Sequence, residues 1–114
     1  MHWRQYQELQ KVTELSDRFI SYVDAGAGPA LVLLHGIPTW GYLYHKMIPT
    51  LEQNHRVLVP DLPGYGFSDR SDRFDRSLSR QADRLSEWMA AIGVERAVIV
   101  GHDVGGGVAM RLAI

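Results

Sequence analysis

The stretch Ala97-Val98-Ile99-Val100-Gly101-His102-Asp103-Val104-Gly105-Gly106-Gly107 limits what this chain can become more than any other. An apolar run rich in β-branched residues stops abruptly at Gly101. Small residues then lead into an apolar pattern of helical period. A strand, one very tight turn and a helix form the layout that lifts a nucleophile onto a crest, most often with serine at the middle of G-x-S-x-G. Here the middle residue is Asp103. At the tip of so sharp a turn the backbone is strained. Gly101 and Gly105 suit the flanking positions, because a Cβ there would collide with the neighbouring strand or helix. Gly106 and Gly107 let the helix begin close to the sheet. The N–H of Val104 is left free to donate to an oxyanion, and the helix dipole favours negative charge at that end.

The rest of the chain supplies a frame for this turn. Residues 1–10 are polar with two aromatics and read as a short helix or a frayed arm. Val12 to Leu15 and Phe19 to Val23 are short β-type runs with Ser16-Asp17 between them, which predicts a hairpin. Ala30 to Leu34 and Arg56 to Pro60 are continuous apolar runs, the signature of strands buried on both faces of a parallel sheet. Tyr42 to Leu51 reads as a helix with Leu43, Met47 and Leu51 on one face, kinked by Pro49 or ending near Ile48. Residues 69–76 alternate in charge and read as a solvated loop. Ser77 or Ser79 caps the next helix, whose inner stripe is Ala82, Leu85, Met89 and Ile92, and Gly93 stops it. Strands alternating with helices predict an α/β fold, a mostly parallel sheet with an N-terminal β-hairpin and helices on both faces. Function in such sheets gathers beyond the carboxyl ends of the strands. Residues 35–40, residues 61–68 and Asp103 all lie there.

Composition excludes several alternatives. The chain has 114 residues, a net charge of −1 and no cysteine. It has no basic footprint for nucleic acid, no thiolate metal site or disulfide framework, and no apolar run approaching the roughly 20 residues of a membrane helix. No signal core is visible near Met1, so the expected compartment is cytoplasmic. No spacing of His, Asp or Glu suggests a metal. The glycines of 101–107 do not form G-x-G-x-x-G, which argues against a dinucleotide. No cofactor is expected, and the sequence sets no oligomeric state.

Three motifs in order, His35-Gly36-Ile37-Pro38, Asp61-Leu62-Pro63-Gly64-Tyr65-Gly66-Phe67-Ser68 and Gly101-His102-Asp103-Val104-Gly105-Gly106, resemble the α/β-hydrolase superfamily. More narrowly, they resemble its aspartate-nucleophile branch of epoxide hydrolases and haloalkane dehalogenases. The resemblance runs over about residues 18–114. It implies that Asp103 is the nucleophile and that the backbone N–H groups of Ile37 and Val104 form the oxyanion hole. Pro38 matches a position where the family often has a cis peptide, which would aim the Ile37 N–H inward. His35, Gly36, Pro38, Trp40 and His102 match positions around the pocket, Trp40 at its entrance. Histidines beside tight turns also commonly serve by packing and hydrogen bonding locally, and Asp61 reads as a loop brace.

A carboxylate needs no deprotonation before it attacks, and it suits displacement at a saturated carbon carrying ring strain or a good leaving group. The implied substrate is a small apolar epoxide or alkyl halide, and the implied intermediate is an ester of Asp103. Dehalogenases usually carry Trp after the nucleophile and often Asn in the His-Gly-x-Pro loop, both donating to the halide. Val104 and Ile37 have no such donor, which favours epoxide chemistry. In the family's order an acid and a histidine follow the nucleophile, and none follows Asp103 here. The expectation is therefore the N-terminal part of one longer α/β-hydrolase domain, unable to turn over alone. A non-catalytic relative or inactive fragment that binds a small apolar ligand is the alternative.

Overall fold

The computed structural model describes residues 1–16, 18–36, 39–69 and 77–113. Helix α1 (Trp3–Leu9) leads into the hairpin β1 (Lys11–Glu14) and β2 (Phe19–Ala25), followed by β3 (Ala30–Leu34). A 3-10 turn (Gly41–Tyr44) and helix α2 (Ile48–Leu51) precede β4 (Arg56–Pro60). Helix α3 (Leu78–Ala91), β5 (Ala97–Gly101) and α4 (Val104–Ala113) complete the order.

The five strands form one mixed sheet in the order β1-β2-β4-β3-β5. The hairpin is antiparallel, and β2 also runs antiparallel to β4. The parallel part is β4-β3-β5, with Leu34 opposite Gly101. The sheet is thus less uniformly parallel than the apolar runs alone predict, because the hairpin joins the same sheet beside β4. Arg56 ties that junction, its Nε and Nη2 donating to the two carboxylate oxygens of Asp24 at 3.0 and 2.8 Å.

Side chains alternate between two cores, as a period of two requires. Val32, Leu34 and Leu58 face Ala82, Leu85 and Trp88 of α3 and Val108 of α4. Leu31, Leu33, Val57 and Val59 face Tyr6, Tyr44 and Ile48 on the other side. Of the stripe predicted for α3, Ala82 and Leu85 are buried and Met89 and Ile92 partly buried against the same core, and the helix is capped by the Ser77 hydroxyl, which accepts from the Arg80 N–H. The largest buried side chain of the helix, Trp88, is outside that stripe and meets the Tyr22 ring edge-on at 5.3 Å. Gly93 has φ +77 and follows the helix as a stop.

The helix predicted over 42–51 requires correction. A 3-10 turn and a separate α2 replace it, with Pro49 in the first turn of α2, where its missing N–H has no intrahelical role. Leu43 and Met47 are 45% and 48% exposed, whereas Tyr44 and Ile48 are buried. Tyr44 and Ile48 win the inner face because the Tyr44 hydroxyl donates to the Leu34 carbonyl at 2.8 Å, giving a polar group at the end of β3 a second partner.

On β5, Ala97 and Ile99 pack toward α3 and α4. Val98 and Val100, on the opposite face, are 66% and 41% exposed. Among the described residues β5 pairs only with β3, so its outer edge is open. No described helix is long and apolar enough to cross a membrane.

Candidate active site

The elbow is built as its residue pattern requires. Asp103 has φ +55, the only positive φ among the described residues other than glycine. It sits between β5 and α4, and its carbonyl accepts from the N–H groups of Gly106 and Gly107 at 2.9 and 3.2 Å. The His102 N–H donates to the Leu34 carbonyl at 3.1 Å, extending the β3–β5 ladder one residue into the turn. Val104 opens α4, where a backbone N–H has no intrahelical acceptor. Among the described residues no backbone carbonyl accepts it.

Two glycines are required by space. A Cβ on Gly101 would be 2.6 Å from the Gly105 carbonyl carbon and from the Gly106 Cα. A Cβ on Gly105 would be 2.5 Å from the His35 oxygen and would press on the Leu34 oxygen as well. Gly106 differs from expectation, since its Cβ would have only ordinary contacts at 3.7 Å.

Gly36 brings the β3 loop to the elbow. A Cβ there would lie 2.7 Å from the Asp103 Cβ and 3.1 Å from the His102 Nδ1, so the two turns touch. Ile37 and Pro38, assigned an oxyanion-hole donor and a pocket position, lie outside the described residues, as do Asp17 of the hairpin turn and residues 70–76 of the charged stretch. His102 and Asp103 are exposed, Val104 and Trp40 half-buried.

His35, matched to a pocket position and also read as a residue that packs and hydrogen-bonds locally, takes the local role of a brace. It has no exposed surface. Its Nε2 accepts from the Leu62 N–H at 2.8 Å, so Nδ1 carries the proton and donates to the Gly36 carbonyl at 2.8 Å. The imidazole thereby pins the β4 loop to the β3 loop. Burial lowers its pKa from the usual 6.5, against the opposing pull of the Gly36 carbonyl and of Asp61. A native histidine that resists protonation contributes stability that is complete above the unfolded value. That stability is lost as pH falls from about 6.5 through the lower native value. His35→Gln keeps both hydrogen-bonding roles without the titration. Its urea midpoint between pH 7 and pH 5 is expected to fall less steeply than that of the wild type.

Asp61 braces the same region. It is fully buried. Its carboxylate accepts from the Gly41 N–H at 2.8 Å, the Phe67 N–H at 2.9 Å and the Gln10 side-chain amide at 2.8 Å. Burial pushes its pKa up and the three donors pull it back down. Ser68 adds a further tie, its hydroxyl donating to the Asp61 carbonyl at 2.6 Å and accepting from the Ser21 N–H at 2.9 Å. The sequence reading missed Gln10. The polar residue just after Leu9 was the available signal, but nothing local aimed it at Asp61. Among the described residues no cluster of His, Asp or Glu is arranged to hold a metal.

Comparison with known proteins agrees with this fold. The sequence model described as alpha/beta hydrolase fold matches residues 29–114. Haloalkane dehalogenase 2 of Mycobacterium bovis is 37% identical over 95 residues, covering 83% of this chain and 33% of that protein. The magnesium-chelatase 30 kDa subunit of Rhodobacter capsulatus is 40% identical over 94 residues, covering 81% and 33%. The solved structure of the epoxide hydrolase CorEH superposes with a TM-score of 0.87 at 33% identity, covering 91% of this chain and 36% of that one. The chain spans about a third of the length of the curated relatives it matches. Relatives of similar identity carry different functional names, so names alone do not select a chemistry.

Proposed function

The chain belongs to the alpha/beta hydrolase fold family, and from that premise we propose that it is the nucleophile-bearing part of a hydrolase that works through a covalent ester of Asp103, of the epoxide hydrolase type. The observation that carries this reading is Asp103 itself. A carboxylate stands exposed at a strained crest of φ +55, at the N-terminus of α4 and against Gly36. A buried structural aspartate needs none of these features.

In the proposed reaction an Asp103 carboxylate oxygen attacks an epoxide carbon. The ring C–O bond breaks and the alkoxide takes a proton from solvent, leaving a hydroxyalkyl ester. Water attacking the ester carbonyl then releases a diol and restores the carboxylate. The tetrahedral oxyanion between these states would accept from the Val104 N–H and, as the family resemblance implies, from that of Ile37. Water attack needs a general base, and the ester is the longer-lived of the two intermediates and the one to capture.

The test is peptide mapping by mass spectrometry after incubation with styrene oxide. The expected result is one adduct per chain, on Asp103. No adduct, or labelling spread over exposed carboxylates, would overturn the reading and favour a non-catalytic binder. A second reading, displacement of halide from an alkyl halide, is favoured by the name of the Mycobacterium bovis relative. It predicts the same ester, formed faster from 1-bromobutane than from the epoxide. The side chain of Val104 has no N–H for a departing halide, which is why the epoxide reading is preferred.

A further inference from the structure

Helix α1 precedes the residues matched by the family model, yet it reaches the carboxyl end of the sheet. Trp3 from α1, Trp40 and Tyr42 from the segment after β3, and Phe67 from the loop after β4 surround a recess of about 480 Å³ floored by Gly66. The rings are ordered against one another. Trp3 stacks on Phe67 at 6.4 Å, Trp40 stacks on Tyr42 at 5.6 Å and meets Phe67 edge-on at 5.2 Å. They are not hidden, since Trp3 is 40% and Phe67 36% exposed. Contiguous exposed aromatic surface of this kind marks a binding site more often than chance.

The three segments share one anchor. Each makes a hydrogen bond to the Asp61 carboxylate: Gln10 just after α1, Gly41 beside Trp40, and the N–H of Phe67 itself. Gly66 has φ +54, and a Cβ there would be 2.5 Å from the Asp61 carboxyl carbon, so the floor rests directly on the buried acid. A buried carboxylate is unfavourable until its hydrogen bonds offset the lost hydration, and here those same bonds hold three aromatic walls in register.

We propose that this recess is a binding site for a planar, uncharged aromatic group, with α1 as its third wall and Asp61 as its positioning residue. Among the described residues no charged side chain lines it. Its volume lies within the range of small-molecule sites, about 300–1,000 Å³. The Arg4 guanidinium already lies 5.2 Å from the centre of the Trp3 ring, so a cationic ligand would meet a like charge while a neutral ring would not. The site stands independently of whether Asp103 is alkylated.

The experiment follows the three indole N–H signals by NMR as styrene oxide is added to the chain. The Trp3 and Trp40 signals are expected to shift with saturation, while that of Trp88, fully buried on the other face, stays put and reports the fold. Trp3→Ala is expected to weaken the apparent affinity at Trp40 at least about fivefold, on the scale of one stacked ring at roughly 1 kcal/mol. Gln10→Ala is expected to do the same with Trp3 still present, by loosening α1 from Asp61. Adduct at Asp103 without shifts at Trp3 and Trp40 would sink the recess and leave the hydrolase reading standing. Shifts without adduct would do the reverse. Signals at Trp3 and Trp40 that move with protein concentration instead would assign the recess to a second copy of the chain and overturn the proposal. Unchanged affinity in Trp3→Ala would also overturn it.

Discussion

Replacing Asp103 by asparagine is expected to leave the fold intact and to abolish covalent capture of an epoxide. Position 103 has φ +55, a region that asparagine and aspartate tolerate better than other residues with a side chain. Asparagine is also as good a helix N-cap as aspartate, so α4 should start in the same place. What changes is the reacting atom. A neutral amide oxygen is a far poorer nucleophile than a carboxylate. The capture rate at residue 103 should fall by about 10⁴-fold or more, the scale seen when a member of a hydrolase triad is removed. The urea midpoint should move little. Asp103→Gly is the companion variant. It loses the nucleophile but relieves a positive φ whose cost is about 1 kcal/mol or more, against a few tenths for the weaker cap. Its midpoint should rise while capture is lost. Intact mass and urea unfolding on the three proteins read both effects. A lowered midpoint in Asp103→Gly would mean that the crest is not strained.

The parts of this molecule that a single chain segment decides were legible in the residue order. The crest at Asp103 is one: Gly101 and Gly105 are forced by contacts between β5, α4 and the end of β3, and the spacing alone signals that crowding. The strand runs of β3 and β4 are another, because burial on both faces leaves no room for polar alternation. The helix predicted over 42–51 shows where such reading stops. Leu43 and Met47 are apolar and correctly spaced, but Tyr44 can fill the same wall and also satisfy the Leu34 carbonyl. That second gain depends on where β3 ends in space. His35 matches a pocket position, yet its place beside a tight turn also signals local bracing; the partner, the Leu62 N–H 27 residues on, is what the residue order does not name. Asp61 was read as a brace, yet two of its three partners, Gln10 and Gly41, come from segments far away in sequence.

Gly105→Ala and Gly106→Ala, one residue apart in the same helix, are expected to have opposite effects. At Gly105 the added methyl would meet the backbone oxygens of Leu34 and His35, the latter at 2.5 Å. Neither can rotate away, because both belong to the end of β3, where the Leu34 carbonyl already accepts from the His102 N–H and the Tyr44 hydroxyl. Relief requires α4 to move off the sheet. Overpacking of this kind costs about 1–3 kcal/mol and more when backbone is involved, so a loss near 3 kcal/mol is expected. At Gly106 the nearest atom is the Gly101 carbonyl oxygen at 3.7 Å. The methyl fits there, and exchanging glycine for alanine inside a helix should gain about 0.5–1 kcal/mol. The functional consequences should separate in the same direction. Lifting α4 would carry Asp103 and the Val104 N–H away from Gly36, and a misplacement of about 1 Å costs on the order of 100-fold in rate. Gly106→Ala should therefore capture styrene oxide at the wild-type rate. Gly105→Ala should lose most of that rate even below its unfolding midpoint. Equal stability of the two variants would mean that α4 does not press on β3 as closely as the elbow requires.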